Sequence, residues 1–226
     1  MNPVIVFENE HFVVCDKPAM SLTVPDRHKS DRPCLGTSLQ KKIGRQIFPV
    51  HRLDFEVSGL VLFAKNNQAH TVSQDWFYHK EIRKQYRALS GQQNFQHWPA
   101  HIPTDRSPIS YQAGAEFSWK MQIMRGKKRS FESVHGEWAM TEASMVAEEG
   151  SIIYWNLFPL TGKPHQLRLE MSRHGFAILG DQLYGSSHPL TNQQWKWGGI
   201  ALRAIQLDLT GVSNRLGLPE KIEIDG

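Results

Sequence analysis

An uninterrupted apolar run at residues 59–64, Gly-Leu-Val-Leu-Phe-Ala, limits what this chain can fold into. A half-exposed strand alternates apolar and polar side chains, so a run without alternation predicts a strand buried on both faces. Two shorter β-branched runs, residues 4–6 and 12–15, flank the polar Glu8-Asn9-Glu10 and read as a hairpin-like pair of strands. Lys17-Pro18 ends that pairing, and residues 21–36, rich in Pro, Ser, Asp and Arg, read as a loop.

Further along, residues 37–46 predict a short helix capped by Thr37 or Ser38. Residues 67–80 predict a second helix with Ala69, Val72, Trp76 and Phe77 on one face. Residues 84–89 alternate like a strand, and strand-like runs follow at 133–147 and 151–158. Residues 165–174 carry helical spacing only in part, residues 176–185 end in two glycine turns, and residues 199–209 alternate strongly as a strand. The tail, 211–226, reads as a short strand or a loose end. The segment 92–130 is the least regular, with Pro99, Pro103 and Pro108 inside it and a basic cluster at its end: Lys120, Arg125, Lys127, Lys128 and Arg129. Strands and helices mix without a regular βαβ rhythm, which favours an α+β fold over a doubly wound sheet.

With 226 residues, 40% hydrophobic and 21% charged, the chain has a globular composition and length enough for a sizeable core without a disulfide or metal staple. No apolar run approaches the ~20 residues that span a bilayer, and the N-terminus lacks the features of an export signal, so a cytoplasmic protein is expected. Cys15 and Cys34 read as reduced thiols, and no Cys-x-x-Cys or His-Glu-x-x-His metal motif occurs among the residues. A formal charge of +4 leans towards a polyanionic partner, though such a charge also suits an ordinary soluble protein.

Three constellations carry chemistry. His51-Arg52-Leu53-Asp54 precedes Ser58-Gly59 and the buried strand. A carboxylate at a strand edge, where glycine permits close backbone approach, suits a nucleophile or base, and a surface ion pair with a turn is the plainer reading. Residues 159–168 crowd turn formers, a cation (Lys163), an imidazole (His165), an amide (Gln166) and a guanidinium (Arg168) into ten positions. That mixture suits phosphate, ribose or base edges, or else a capped helix start after a turn. Gly180-Asp181-x-x-Tyr184-Gly185 is a glycine-rich loop, on its own a structural signal. Trp195-Lys196-Trp197 reads first as aromatics packing before the last strand and only second as a base-stacking platform.

In this order and spacing the motifs resemble the RluA-like family of RNA pseudouridine synthases, from about Val4 to about Leu209. The resemblance implies Asp54 as the catalytic aspartate, Tyr86, in Lys84-x-Tyr86-x-Ala88, as the active-site tyrosine, and Arg168 as the arginine that faces the aspartate. Lys17-Pro18-Ala19-Met20 takes the place of the family's Lys-Pro-x-Gly turn. Four departures stand out: Val57 where the family has Thr, Lys163-Pro164 where it has Arg-Thr, Met20 for Gly, and Arg203 where His is common. Lysine keeps the charge at 163 but loses the bidentate fork of arginine.

The implied fold is one pseudouridine synthase catalytic domain over residues 1–226, with its core at about 4–209 and an insertion at about 92–130. Its central sheet would be mixed, mostly antiparallel and in two halves, with flanking helices and a central cleft. The implied reaction isomerises a specific uridine to pseudouridine in a structured tRNA or rRNA stem-loop, with no metal or organic cofactor. A base inside folded RNA must be turned out of its stack, and Arg52 would fill the vacated space. His51, Arg52, Lys84, Lys163, His165 and Gln166 are the candidate RNA-binding residues. Further basic runs for the RNA backbone lie at Lys41, Lys42 and Arg45, at Lys80, Arg83 and Arg87, and at Lys120 to Arg129, each of which taken singly reads first as a solvated face. No accessory S4 RNA-binding domain fits before the first strand, so RNA choice would fall to the catalytic domain and its insertion, and a monomer is expected. The competing readings are a catalytically silent RNA-binding protein or RNA chaperone on the same scaffold, and a generic hydrolase, for which a nucleophile elbow and a metal motif are both missing.

Overall fold

The computed structural model of the chain describes residues 1–26, 31–96, 106, 108–188 and 190–226. Its first elements are β1 (Val4–Glu8), β2 (Phe12–Lys17), α1 (Leu35–Ile43), β3 (Phe48–Pro49), β4 (Ser58–Ala64) and α2 (Asn67–Tyr78). Then come β5 (Arg83–Gly91), β6 (Glu116–Arg125), β7 (Ser130–Glu132), β8 (Glu137–Glu149) and β9 (Ile152–Pro159). The chain closes with α3 (Gln166–Arg173), a 3-10 turn (Gln182–Tyr184), β10 (Leu202–Asp208) and β11 (Lys221–Glu223). The class is α+β, with a mixed, mostly antiparallel set of strands. No helix among the described residues is long and apolar enough to cross a membrane.

The described residues divide into two compact units. The first holds Met1–Lys84, Trp197–Gly199 and Arg203–Gly226. Its strands run in the order β1-β2-β4-β10, with β3 also on β4 and β11 on β10. Every residue of β4 is buried, as its unbroken apolar run requires. It pairs antiparallel with β2 and parallel with β10, where Arg203 faces Ser58 and Ala204 faces Gly59. Gly59 has φ +115, and a Cβ there would lie 2.1 Å from the Ala204 carbonyl oxygen, so this crossing admits only glycine. Phe12, Leu60, Leu62, Ala69, Trp76 and Leu207 belong to the core between sheet and α2. Asn66 caps α2 by accepting from the Ala69 N–H at 2.8 Å.

The second unit holds Gln85–Lys196 and Ile200–Leu202. Its strands, in the order β5-β9-β8-β6-β7, are antiparallel throughout. Met121, Ile123, Ala139, Leu169 and Tyr184 form a core cluster under α3. Trp119 stacks on His174, the C-cap of α3, at 4.5 Å.

Three expectations need correction. Helix α1 begins at Leu35, with Cys34 as its N-cap and no side-chain cap bond, rather than at Thr37 or Ser38. Buried Leu35 and Leu39, one turn apart, anchor the helix earlier than its cap-forming residues suggest, and Gly44 ends it in the left-handed region. Within the segment taken as irregular, β6 is a ten-residue strand. Phe117, Trp119, Met121 and Ile123 alternate there, but two methionines and a lysine weaken the β signal. Strand β10 starts at Leu202 rather than 199, because Gly198 and Gly199 both have positive φ. Pro99, Pro103 and residues 97–105 and 107 of the 92–130 insertion lie outside the described residues.

Candidate active site

In the first unit, the motif His51-Arg52-Leu53-Asp54 fills the turn between β3 and β4. His51 points inward: its Nε2 accepts the Leu62 N–H at 3.1 Å, and its ring stacks on Phe77 of α2 at 5.1 Å. Burial, helped by the nearby Lys84 cation, pushes its pKa down to about 3, so the imidazole is neutral at physiological pH. The Lys84 ammonium lies 5.8 Å from the same Phe77 ring, and burial lowers its pKa to about 8. Two expected RNA contacts, His51 and Lys84, thus form an internal tier with Phe77 behind the turn. Arg52 is exposed.

Asp54 is half-buried, and the backbone on both sides of it is held by side chains. Before it, Thr23 Oγ1 accepts the Leu53 N–H at 3.1 Å and donates to the Leu53 carbonyl at 3.2 Å. After it, the Phe55 carbonyl accepts the Ser21 N–H at 3.2 Å and the Lys17 ammonium at 3.4 Å. Lys17, 0% exposed, also donates to the carbonyls of Ser21 at 2.8 Å and Pro18 at 3.1 Å. Its three N–H groups therefore each meet a carbonyl. Burial lowers its pKa to about 8, against an upward pull from the carboxylates of Asp54, Glu56 and Asp16. Gly199 closes the other side of the turn: a Cβ there would lie 2.1 Å from the Glu56 carbonyl oxygen.

In the second unit, Tyr86 is buried on β5 opposite Leu157, which is opposite Ala143, itself opposite Phe117. Phe117 stacks on Trp119, so Tyr86 shares a sheet face with α3. Arg168, on α3 and 2% exposed, pairs bidentately with Asp181: Nε to Oδ2 at 2.7 Å and Nη2 to Oδ1 at 2.9 Å. Its guanidinium lies 5.3 Å from the Tyr184 ring centroid. Asp181 and Tyr184 come from the glycine loop, which on its own carried a structural signal and gained meaning only as one of the ordered family-like motifs.

The loop 161–168 is braced by Gln166. Its Oε1 accepts from Thr161 Oγ1 at 2.7 Å and from the Lys163 N–H at 3.1 Å. Its Nε2 donates to the Met140 carbonyl at 2.9 Å and to Thr141 Oγ1 at 3.0 Å. Both lone pairs and both N–H groups are used, so Gln166 shapes the loop and has no capacity left for the RNA contact expected of it. Lys163 forms an ion pair with Glu137 at the start of β8. His165 adopts φ +54 as the residue before α3, and its Nδ1 lies 3.0 Å from the Tyr184 hydroxyl. Among the described residues, no group of three or more His, Cys, Asp or Glu side chains is arranged to hold a metal ion.

Sequence reading missed Lys17 and Thr23. Lys17 stood out as the end of a strand and as part of the Lys-Pro-x-Gly-like turn, but nothing in a Lys-Pro pair signals that the ammonium is buried.

Asp54 thus lies on a clamped turn of the first unit, and Tyr86 on a buried strand and Arg168 on a short helix of the second. The family described as RNA pseudouridylate synthase matches residues 11–173. The dual-specificity RNA pseudouridine synthase RluA of Vibrio vulnificus (strain CMCP6) is 30% identical over 192 residues, covering 83% of this chain and 71% of that protein. The RluA of Pasteurella multocida (strain Pm70) is 32% identical over 181 residues, covering 80% and 76%. The ribosomal large subunit pseudouridine synthase D of Zymomonas mobilis is 33% identical over 199 residues, covering 81% and 56%. The solved structure of human RNA pseudouridylate synthase domain containing 1 shares the fold, with a TM-score of 0.68 at 20% identity over 100% of this chain and 83% of that one. The chain belongs to the RNA pseudouridylate synthase family. It is an RNA pseudouridine synthase, an isomerase whose substrate is uridine in RNA.

Proposed function

We propose that Asp54 is the essential catalytic carboxylate and that the target uridine lies in a tRNA or rRNA stem-loop. The observation that carries this reading is the bracketing of Asp54. Thr23 fixes Leu53, while Lys17 and Ser21 fix Phe55, so the carboxylate between them is oriented before substrate arrives. In the reaction, the bond from ribose C1′ to uracil N1 breaks, the base turns, and C1′ rejoins at C5. The C5 proton leaves and N1 gains one, so the isomerisation is balanced without an oxidant, reductant or cofactor. Tyr86 stacks on the target base and bears on proton transfer at C5, and Arg168, held by its fork on Asp181, is the third catalytic residue of this reading. Exposed Arg52 fills the space that the base vacates, with Lys163 and His165 as further RNA contacts. His51 and Lys84 act behind the turn, as its support. The protein works as one catalytic domain, a cytoplasmic monomer. The relatives named for RNA and for the ribosomal large subunit support RNA, rRNA included, as the substrate class.

Pseudouridine mapping on total RNA tests this reading, comparing cells with the gene, without it, and with Asp54→Asn. A uridine modified only by the wild type, with at least a 10³-fold loss in the variant, is the expected result, because an essential group is removed without changing its volume. A variant as active as the wild type would take the essential role away from Asp54. No change at any tRNA or rRNA site would favour RNA binding without catalysis.

A further inference from the structure

The second unit carries a cationic hairpin that the reaction does not use. Strands β6 and β7 pair through Arg125 opposite Ser130, and the Gly126 N–H donates to the Arg129 carbonyl at 2.9 Å to close the tip. A Cβ at Gly126 would lie 2.7 Å from that carbonyl oxygen, so the tight turn needs glycine. Arg125, Lys127 and Lys128 are exposed at this tip, and none forms an ion pair with a described carboxylate. A charge run is usually a solvated face. This one is anchored in a way that a solvated tip does not need. Arg129 Nη1 reaches the Leu183 carbonyl at 3.5 Å, and Ser130 is 1% exposed. The Ser130 N–H donates to the Tyr184 hydroxyl at 2.8 Å, and Ser130 Oγ donates to the Pro164 carbonyl at 2.7 Å. The same Tyr184 hydroxyl contacts His165 Nδ1. The hairpin base and the loop 163–168 are thereby joined through one buried node.

We propose that this hairpin is a phosphate clamp: Arg125, Lys127 and Lys128 grip the backbone of the substrate RNA at a position fixed relative to the loop bearing Lys163 and His165. The inference rests on the reading of the substrate as a structured RNA and adds where its backbone is held. Unpaired cations on a stiff tip bind phosphate with little ordering cost, and each contact releases counterions. Contacts of this kind set position rather than sequence. The Ser130–Tyr184 node would transmit that position to the loop.

The test compares wild type with the triple variant Arg125→Ala, Lys127→Ala, Lys128→Ala. Binding of labelled bulk tRNA and of fragmented rRNA is titrated at salt concentrations from about 50 to 200 mM. Turnover is measured on the RNA that mapping identifies. The clamp predicts that Kd rises at least tenfold at the lower salt and that the slope of log affinity against log salt falls by about two to three. The turnover rate at saturating RNA should stay within twofold. An unchanged Kd and slope on both RNA classes would show a solvated tip and overturn the proposal. So would a fall in turnover with unchanged binding. Because these side chains are exposed, a matching thermal melt will show that the variant is folded. A wild type that binds RNA but modifies no uridine would remove the catalytic reading alone, since the binding arms still decide the clamp.

Discussion

Lys17 in the first unit and Arg168 in the second are both buried cations, but they are held in different ways. Arg168 meets a carboxylate through two parallel hydrogen bonds. Lys17 meets three backbone carbonyls, while the carboxylates that attract it, led by Asp54, act at longer range. The arginine is planar, delocalised and permanently charged, so its fork fixes direction at any working pH. The lysine is a point charge whose proton can be lost, and its pKa of about 8 places that loss near physiological pH. The second unit thus uses an ion pair to build a rigid support, and the first uses a titratable amine to hold a backbone turn.

The largest effect follows from the ion pair. Arg168→Ala or Asp181→Ala leaves one buried charge without its forked partner, at an expected cost of about 3–5 kcal/mol in urea unfolding. Lys17→Met should cost less than about 2 kcal/mol. It strips about 1 kcal/mol from each of the carbonyls it leaves without a donor, but it also removes a charge that burial disfavours. Its main effect should be on the turn that carries Asp54: a fall in kcat of about tenfold with KM little changed, because the carboxylate is less well oriented. Equal stability losses for the two variants would erase the distinction between them.

The pH dependence sharpens the same comparison. Between pH 8 and 10.5 the folded chain gives up the Lys17 proton while the unfolded chain keeps it. The unfolded state then binds more protons, so this group makes stability rise with pH across that window and contributes no slope below it. Activity should move the other way. The neutral amine has two N–H groups for three carbonyls and no charge beside Asp54 and Glu56. The expected result is a kcat that declines above about pH 8 in the wild type and a flatter profile in Lys17→Met. Lys84 also has a pKa of about 8, so a Lys84→Met profile separates the two amines. If the alkaline decline follows Lys84, Lys17 holds the turn without gating it.

Much of this was legible in the residues. The β4 strand declared itself through its unbroken apolar run, and α2 through one apolar face. The α+β class followed from the mix of elements. What stayed hidden was of two kinds. Strand β6 kept its alternation under residues of weak β preference. The polar wiring stayed hidden because a sequence shows which side chains are available and not how their hydrogen bonds are spent. Gln166 sits among residues suited to RNA and is fully used by its own loop, while Lys17 looks like a strand terminator and holds the turn beside Asp54. Asp181 lay in a recognised motif, but its partner is thirteen residues away and becomes visible only when α3 and the glycine loop meet.

Met20 supplies the smallest prediction and bears on how firmly the Lys17 side is held. It stands where the family has glycine and adopts φ +57, so a side chain with a Cβ occupies the left-handed region. That conformation costs about 1–2 kcal/mol for an ordinary residue. Glycine avoids the clash but loses more chain entropy on folding, about 0.5–1 kcal/mol. Met20→Gly should therefore stabilise the protein by about 1 kcal/mol or less, a rise in Tm of about 2–4 °C for a chain of this size. The turn is held in this conformation by the neighbouring carbonyls of Pro18 and Ser21, which both accept from Lys17. In a Lys17→Met background the turn is free to relax, so the gain from Met20→Gly should shrink by about 0.5 kcal/mol or more, measured as a double-mutant cycle. Additive effects would mean that the amine and the strained turn act separately, and Lys17 would then hold the Phe55 side of the turn alone.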